Sequence, residues 1–203
     1  MNIIQIGCHS GNDKASSFLS LNEKYLNKVL LIDASPSALS LAKIFYKDFK
    51  KVELFNFAVV DTNDTEIEIF YPVDENNVSY SYCSVLESHV KTHKDFEGEN
   101  TPQQIKTHKV PATRVNKLLK HFAGEYIDRL YLDVEGLDCS IINDIDLHQY
   151  NIGHIRFEYT HSEGAFKTNG PILKKTINRL SSFGYSIIKD PNFPEDLIAL
   201  KNI

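Results

Sequence analysis

The chain of 203 residues lacks a long apolar run, an excess of basic residues and any cysteine spacing suited to a metal. Each absence removes a class of function. No stretch is apolar for long enough to span a bilayer, so no membrane partner is expected. Residue 2 already belongs to strand-like sequence, so a signal peptide is not expected and a cytoplasmic protein is. A formal net charge of −5 and a pI near 5.9 argue against a nucleic-acid grip, which wants a basic face. The cluster Lys43, Lys47, Lys50 and Lys51 reads instead as the solvated end of a helix. Three cysteines, Cys8, Cys83 and Cys139, cannot all pair, and this suits a reducing compartment. The glycosylation-like triplets at 63–65 and 77–79 are then chance matches. Internal repeats and low-complexity tracts are also missing. His89 and His93 fall four apart on a candidate helix, but the glutamate of a zinc-protease motif is not between them, so a metal there is not expected.

What is present begins at the first residues. The buried-strand run Asn2-Ile3-Ile4-Gln5-Ile6 leads straight into Gly7-Cys8-His9-Ser10-Gly11, and the next apolar run, Val29-Leu30-Leu31-Ile32, ends on Asp33. Strand, glycine turn, helix and a strand ending in an acid make a nucleoside-binding half-site. Glycines let backbone approach a ligand without Cβ atoms in the way, and the carboxylate can accept both ribose hydroxyl protons. A dinucleotide fingerprint would place further glycines at positions 9 and 12, which are His9 and Asn12. The loop is therefore G-x-x-x-G, and a plain strand-to-helix turn is the alternative reading.

The length and an apolar content of 42% suit a single domain with one core. Strand runs alternate with helical patterns, which predicts a doubly wound α/β fold with a mostly parallel sheet. Strands are expected near 28–33, 51–60, 66–71, 107–110, 127–133 and 155–158. Helices are expected near 14–25, 35–49, 113–121, 137–145 and 171–183. Pro36 stands at a first helical turn, where its missing N–H costs nothing. Residues 72–105 are polar and read as a lid-like insertion carrying one short helix near 84–94. At the end of the chain, strands at 185–188 and 197–200 are joined by a link too short for a helical crossover, so they must be antiparallel. A parallel nucleotide-binding sheet that finishes in an antiparallel hairpin is the methyltransferase variant of this fold.

Two further strand ends carry candidate chemistry. Tyr131-Leu132-Asp133-Val134-Glu135-Gly136 is a buried strand ending in two carboxylates and a glycine. Ligands in open α/β sheets bind outside the carboxyl ends of strands, so Asp133 falls level with Gly7 and Asp33. Asp133 and Glu135 are candidates for acid–base work or, alternatively, caps of the helix that follows. Arg156-Phe157-Glu158-Tyr159-Thr160-His161 repeats the pattern, with a histidine able to accept a hydroxyl proton near neutral pH or to sit as an ordinary loop histidine.

In their order these motifs resemble the FkbM family of S-adenosylmethionine-dependent methyltransferases over nearly the whole chain. Residues 5–11 are similar to that family's acid-x-Gly-Ala-Asn-x-Gly loop. Asp33-Ala34-Ser35-Pro36 resembles its Glu-Pro-Asn-Pro element, and Phe57-Ala58-Val59-Val60-Asp61 the segment that lines the adenine. Ser84 falls where the family places a serine, and Val110-Pro111-Ala112-Thr113-Arg114-Val115 resembles its lead into a mid-chain helix. Residues 127–136 resemble Ile-Asp-x-x-Lys-Ile-Asp-x-Glu-Gly, and Phe157-Glu158 the acid ending the fifth strand. The departures are Gln5 for the first acid, His9 for the asparagine and Tyr131 for the lysine.

The resemblance implies a class I, Rossmann-like seven-stranded fold and S-adenosylmethionine as cofactor. It implies O-methylation of a hydroxyl on a sugar, glycan or small natural product. By that resemblance Gln5, Gly7, His9, Ser10, Gly11, Asp33, Ala34, Ser35, Ala58, Ser84 and Asp133 would hold the cofactor. Asp33 would take the ribose, and Ala58 would flank the adenine. Asp133 would orient the methionine or the acceptor, with Glu158 or His161 as the base. Asp133 and Glu158 sharing a divalent ion stays open as an alternative. A nicotinamide-dependent oxidoreductase and a non-catalytic nucleoside-binding module are the rival readings.

Overall fold

A computed structural model of the chain describes residues 1–13, 15–73, 83–94, 104–162, 164 and 167–202, without the side chains of 92–94. Its centre is a sheet of seven strands. β1 (Asn2–Ile6), β2 (Lys28–Asp33) and β3 (Val52–Asn56) come early in the chain. β7 (Tyr126–Leu132), β8 (Asn151–Glu158), β9 (Tyr185–Lys189) and β10 (Asp196–Lys201) come late in it. The spatial order is β3-β2-β1-β7-β8-β10-β9. All neighbours are parallel except β10, which runs antiparallel to both β8 and β9. The expected doubly wound sheet with an antiparallel end is thus the fold.

Between these groups lies a second sheet, β4 (Ala58–Val60), β5 (Glu66–Val73) and β6 (Gln104–Arg114), in the order β4-β6-β5. The expected single strand over 51–60 is therefore two. Pairing to β2 stops at Asn56, and Ala58 starts a new ladder opposite Ala112. The expected strand at 107–110 is the middle of the much longer β6, which pairs with β5 over 104–111 and with β4 over 112–114. The supposed insertion begins and ends inside this sheet, and its one described helix is α3 (Glu87–Lys94). Residues 74–82 and 95–103 of that segment, with Ser79, Tyr80, Ser81 and Tyr82, lie outside the described residues.

The main sheet is buried on both faces, so its central strands read as unbroken apolar runs. On one face Ile4, Ile6, Leu130, Leu132, Ile155 and Phe157 pack under α4 (Val115–Leu119), α5 (Asp138–Asp144) and α6 (Pro171–Ser182). On the other, Ile3, Val29, Leu31 and Tyr131 meet α1 (Ser16–Asn22) and α2 (Pro36–Phe45). α2 starts as its sequence dictates: the Ser35 hydroxyl accepts from the Ala38 amide at 3.3 Å and Pro36 takes the first turn.

The register positions the site. Ile6 lies opposite Ile32 on one side and Leu132 on the other, and Leu132 lies opposite Phe157. The carboxyl ends of β1, β2, β7 and β8 therefore finish together. β1 is also where the strand order turns, the switch point at which open α/β sheets bind ligands. Among the described residues no helix is long and apolar enough to cross a membrane.

Candidate functional site

The turn after β1 is held by backbone. The Gly7 and Cys8 amides both donate to the Ile32 carbonyl, at 2.8 and 3.1 Å. Gly7 has φ +80°, and a Cβ there would lie 1.8 Å from the Asp133 carbonyl oxygen. The glycine therefore serves a close approach between two strand ends rather than room for a ligand atom. Gly11 is similar: its missing Cβ would stand 2.7 Å from the Tyr46 ring, and the Tyr46 hydroxyl donates to the Gly11 carbonyl at 3.1 Å. This glycine packs the loop on α2.

Asp33 is pinned from two sides. Its Oδ2 accepts from the His9 amide at 2.7 Å, and its Oδ1 from the Ser35 amide at 2.8 Å. Asn56 on β3 donates to the carbonyls of Asp33 and Ala34, which fixes the turn from below. Each carboxylate oxygen keeps a further lone pair. Burial raises the pKa of Asp33, against the pull of the two amides.

Around these groups lies a cleft of about 270 Å³. Of the residues expected to hold a cofactor, Gly7, His9, Asp33, Ala34, Ala58, Ser84 and Asp133 line it. Gln5, Ser10, Gly11 and Ser35 do not. Ser35 caps α2, and the Ser10 hydroxyl turns to His9 Nδ1 at 3.1 Å. Gln5 is buried and donates at 2.6 Å to Asp13, which lines the cleft and which sequence reasoning missed. The acid absent at position 5 is thus present eight residues later, presented by the residue that replaced it. The signal was available in the form of an acid just past an anomalous Gln. It was masked because Asp13 also reads as a helix start, and its Oδ1 indeed accepts from the amides of Ala15 and Ser16 at the head of α1. Burial raises the pKa of Asp13 too.

The far side of the cleft is apolar, formed by Phe57, Ala58, Ile69 and Leu137. Cys83 also lines it, with its thiol pushed up by burial and by the charges of Asp33 and Glu135, which keeps it protonated.

The ends of β7 and β8 carry the second group. Glu135 lines the cleft in a left-handed conformation, φ +53°. The Ser84 hydroxyl donates to its carbonyl at 2.9 Å and accepts from the Leu86 amide at 3.0 Å. Glu158 and His161 do not line the cleft but are buried beside it, with His161 Nε2 3.3 Å from Glu158 Oε1 and the Thr160 hydroxyl on that same oxygen at 2.7 Å. Burial works to lower the pKa of His161. The hydrogen bond and charge of Glu158, with Glu135 and Asp133, outweigh it and leave the pKa raised. Asp138, in the first turn of α5, is fully buried, and burial near Glu158 and Asp133 pushes its pKa well up.

His89 was unexpected here. It leaves α3 to meet Glu135, Nε2 to Oε2 at 2.8 Å, and crosses the His161 ring edge to face. His89, Glu135 and His161 each offer one ligating atom within 4.8 Å of the others. The side chain of His93, its supposed partner, lies outside the described residues. Nothing local could have paired His89 with Glu135, since 46 positions separate them.

A family model described as "Methyltransferase FkbM domain" matches residues 5–187. Among solved structures, methyltransferase FkbM from Methylobacillus flagellatus KT superposes with a TM-score of 0.57 at 11% identity, over 98% of this chain and 43% of that one. A Podospora anserina methyltransferase bound to S-adenosylhomocysteine gives 0.48 at 13%, over 100% of this chain and 72% of that one. Aeropyrum pernix fibrillarin, in complex with natively bound S-adenosylmethionine, gives 0.47 at 11%, over 98% and 64%. The chain thus spans 43% of the FkbM structure and 64% of the fibrillarin. No curated protein sequence matches it. The likeness to the Methylobacillus structure is one of fold. With residues 5–187 of 203 under one family model, the chain belongs to the FkbM methyltransferase family.

Proposed function

We propose that this protein binds S-adenosylmethionine and methylates a hydroxyl oxygen on a sugar, glycan or small natural product. The observation that carries the reading is a cleft lined by carboxylates and by an apolar group of residues, with a buried pair of proton acceptors beside it. Asp33 suits the ribose diol, since its two oxygens are fixed by amides and still have lone pairs to offer. Asp13 suits the methionine ammonium, and the slot of Phe57, Ala58 and Leu137 suits a flat base. The chemistry of this residue set fits the cofactor part by part.

When bound, S-adenosylmethionine supplies a methyl group on a sulfonium. Alignment of the two reactants by the cleft can supply about 7–11 kcal/mol. A hydroxyl must still lose its proton, and a positioned base contributes about 10²–10⁴-fold. The Glu158–His161 pair is the acceptor for that proton. Glu158 holds the imidazole in one orientation, and Asp133 lies between this pair and the loop after β1. The protonated thiol of Cys83 argues against a thiolate route.

The binding-module reading drew on the departures Gln5 and Tyr131. Asp13 offsets the first, and Tyr131 is packed against α1 and α2, away from the cleft. The nicotinamide reading has neither the third glycine nor the family in its favour. The described part of the 72–105 segment, with Cys83, Ser84 and Val85 on the cleft, would shape the acceptor pocket within a single domain.

The test is calorimetric titration with S-adenosylmethionine, S-adenosylhomocysteine and NAD in parallel. Micromolar binding of both adenosyl compounds, lost in Asp33→Ala, is the expected outcome. Binding of NAD alone would overturn the reading. Mass spectrometry of products from a panel of polyols and polyketide-type alcohols then asks whether the methyl lands on oxygen.

A further inference from the structure

Three side chains from three separate segments meet beside the cleft, which one of them, Glu135, lines. His89 comes from α3, Glu135 from the turn after β7 and His161 from the turn after β8. One ligating atom of each lies within 4.8 Å of the other two, and the closest named pair, His89 Nε2 and Glu135 Oε2, is at 2.8 Å. The two imidazoles cross at 84° with centroids 4.3 Å apart. Both histidines are buried, at 1% and 4% exposure, while Glu135 opens into the cleft. Two imidazoles and one carboxylate form the ligand set of borderline divalent metals and leave coordination positions open on one side.

We propose that His89, Glu135 and His161 bind a divalent first-row transition metal at the acceptor end of the cleft. Mg²⁺ and Ca²⁺ are the wrong class, since their sites are built from oxygen. Metal–ligand bonds of about 2.0–2.1 Å place neighbouring ligand atoms about 3.0–3.4 Å apart. The present separations, from 2.8 Å up to at most 4.8 Å, reach that range by small side-chain rotations.

The surroundings are built to aim these groups. Glu158 Oε1, at 3.3 Å from His161 Nε2, orients that ring as an outer carboxylate orients a metal-ligating imidazole. Glu135 is held at φ +53° by the Ser84 hydroxyl on its carbonyl, and Gly136 follows at φ +111°. A Cβ at Gly136 would lie 3.3 Å from Leu86 and 3.7 Å from His89 Nδ1, so the turn and the start of α3 are packed directly on one another.

What the metal does rests on the methyl-transfer reading. An acceptor hydroxyl bound to it would lose its proton more readily, and that proton would pass to the carboxylate of Asp133, which lines the cleft. The oxygen's electron pair would then form the C–O bond, and the pair of the broken C–S bond would stay on sulfur as a thioether. His161 is a ligand in this scheme, Glu158 holds its ring and Asp133 is the base.

The metal alone tests the site, on the full chain without donor or acceptor. Protein stripped with EDTA and then freed of it is titrated with Co²⁺, read by visible absorbance, and then competed with Zn²⁺. One Co²⁺ per chain, displaced by Zn²⁺, is expected. His161→Ala and Glu135→Gln are expected to weaken binding about 100-fold or more, while His121→Ala, an exposed histidine elsewhere, leaves it unchanged. Should circular dichroism find His161→Ala unfolded, Glu135→Gln decides, because it keeps an oxygen for His89 and loses only the charge. Absence of saturable Co²⁺ binding, or equal affinity in Glu135→Gln, overturns the site. Methyl transfer by a protein that binds no Co²⁺ overturns it while the methyltransferase reading stands. Specific Co²⁺ binding by a protein that fails the S-adenosylmethionine titration does the reverse.

Discussion

The turns after β1 and β7 pack against one another, both line the cleft, and are built by opposite means. The first is closed by its own neighbourhood: Gln5 on Asp13 spans eight positions, and the His9 amide on Asp33 spans 24. The second is closed from afar: His89 reaches Glu135 over 46 positions and Ser84 over 51. The first presents backbone and carboxylates, the second imidazoles and a strained glutamate. Contacts over short spans can be made within one βαβ unit. Contacts over long spans draw on segments that meet only when the whole sheet has formed.

The most damaging way to break this comparison is at the seam between the turns. Gly7→Ala puts a Cβ 1.8 Å from the Asp133 carbonyl oxygen, in a backbone conformation with φ +80°. The left-handed conformation costs about 1–2 kcal/mol, and forcing two packed strand ends apart costs about 1–3 kcal/mol more. A loss of about 2–5 kcal/mol is expected, read as a fall of roughly 10 °C in Tm for a domain of this size. Calorimetry of the variant measures it. A Tm within about 2 °C of the parent would mean that the two turns are not rigidly coupled.

The difference between the turns also explains what was legible in the sequence. β1, β2 and β7 are apolar runs ended by a glycine or an acid, so both the strands and their site-facing ends could be read directly. The antiparallel link of β9 and β10 followed from its length alone. The break at Phe57 could not be read, because residues 52–60 stay strand-like while their pairing passes from β2 to β6, some 50 positions away in sequence. Asp13 was legible as a helix start and not as a cleft carboxylate, because the same side chain does both. His89 looked like half of a histidine pair on its own helix, and its real partners arrive through tertiary packing.

The first turn can be tested without touching the second. Asp13→Asn keeps the oxygen that accepts the Ala15 and Ser16 amides, so α1 should survive, and it removes the charge facing the cleft. Affinity for S-adenosylmethionine should fall about tenfold, or about 1.4 kcal/mol. Affinity for adenosine, which lacks the ammonium, should not change, whereas Asp33→Asn should weaken both. The pH dependence follows from the raised pKa of Asp13. The anion is the binding form, and burial makes it take up a proton above the ordinary value of 3.8. Affinity should therefore fall on acidification before free aspartate would titrate, and the Asn variant should lose the Asp13 part of that fall. An equal loss for adenosine in Asp13→Asn would place this carboxylate at the ribose instead.

The smallest effect sharpens the comparison most, because it acts on the second turn alone. Ser84 is buried and makes two hydrogen bonds at once, to the Glu135 carbonyl and from the Leu86 amide. Ser84→Ala leaves both groups without that partner, at a cost of about 1–2 kcal/mol. The stability loss is ordinary, but its location is not. The carbonyl released belongs to the residue at φ +53° whose side chain meets His89. Freed from that restraint, Glu135 relaxes and the His89–Glu135–His161 cluster loosens, while Asp13 and Asp33 keep every contact. Adenosine affinity should therefore hold, and Co²⁺ affinity and the methyl-transfer rate should both drop. Titrating one variant with the two ligands is enough to see this. If adenosine binding falls in step with Co²⁺, the cleft responds as a single rigid unit and the two turns are not separate devices.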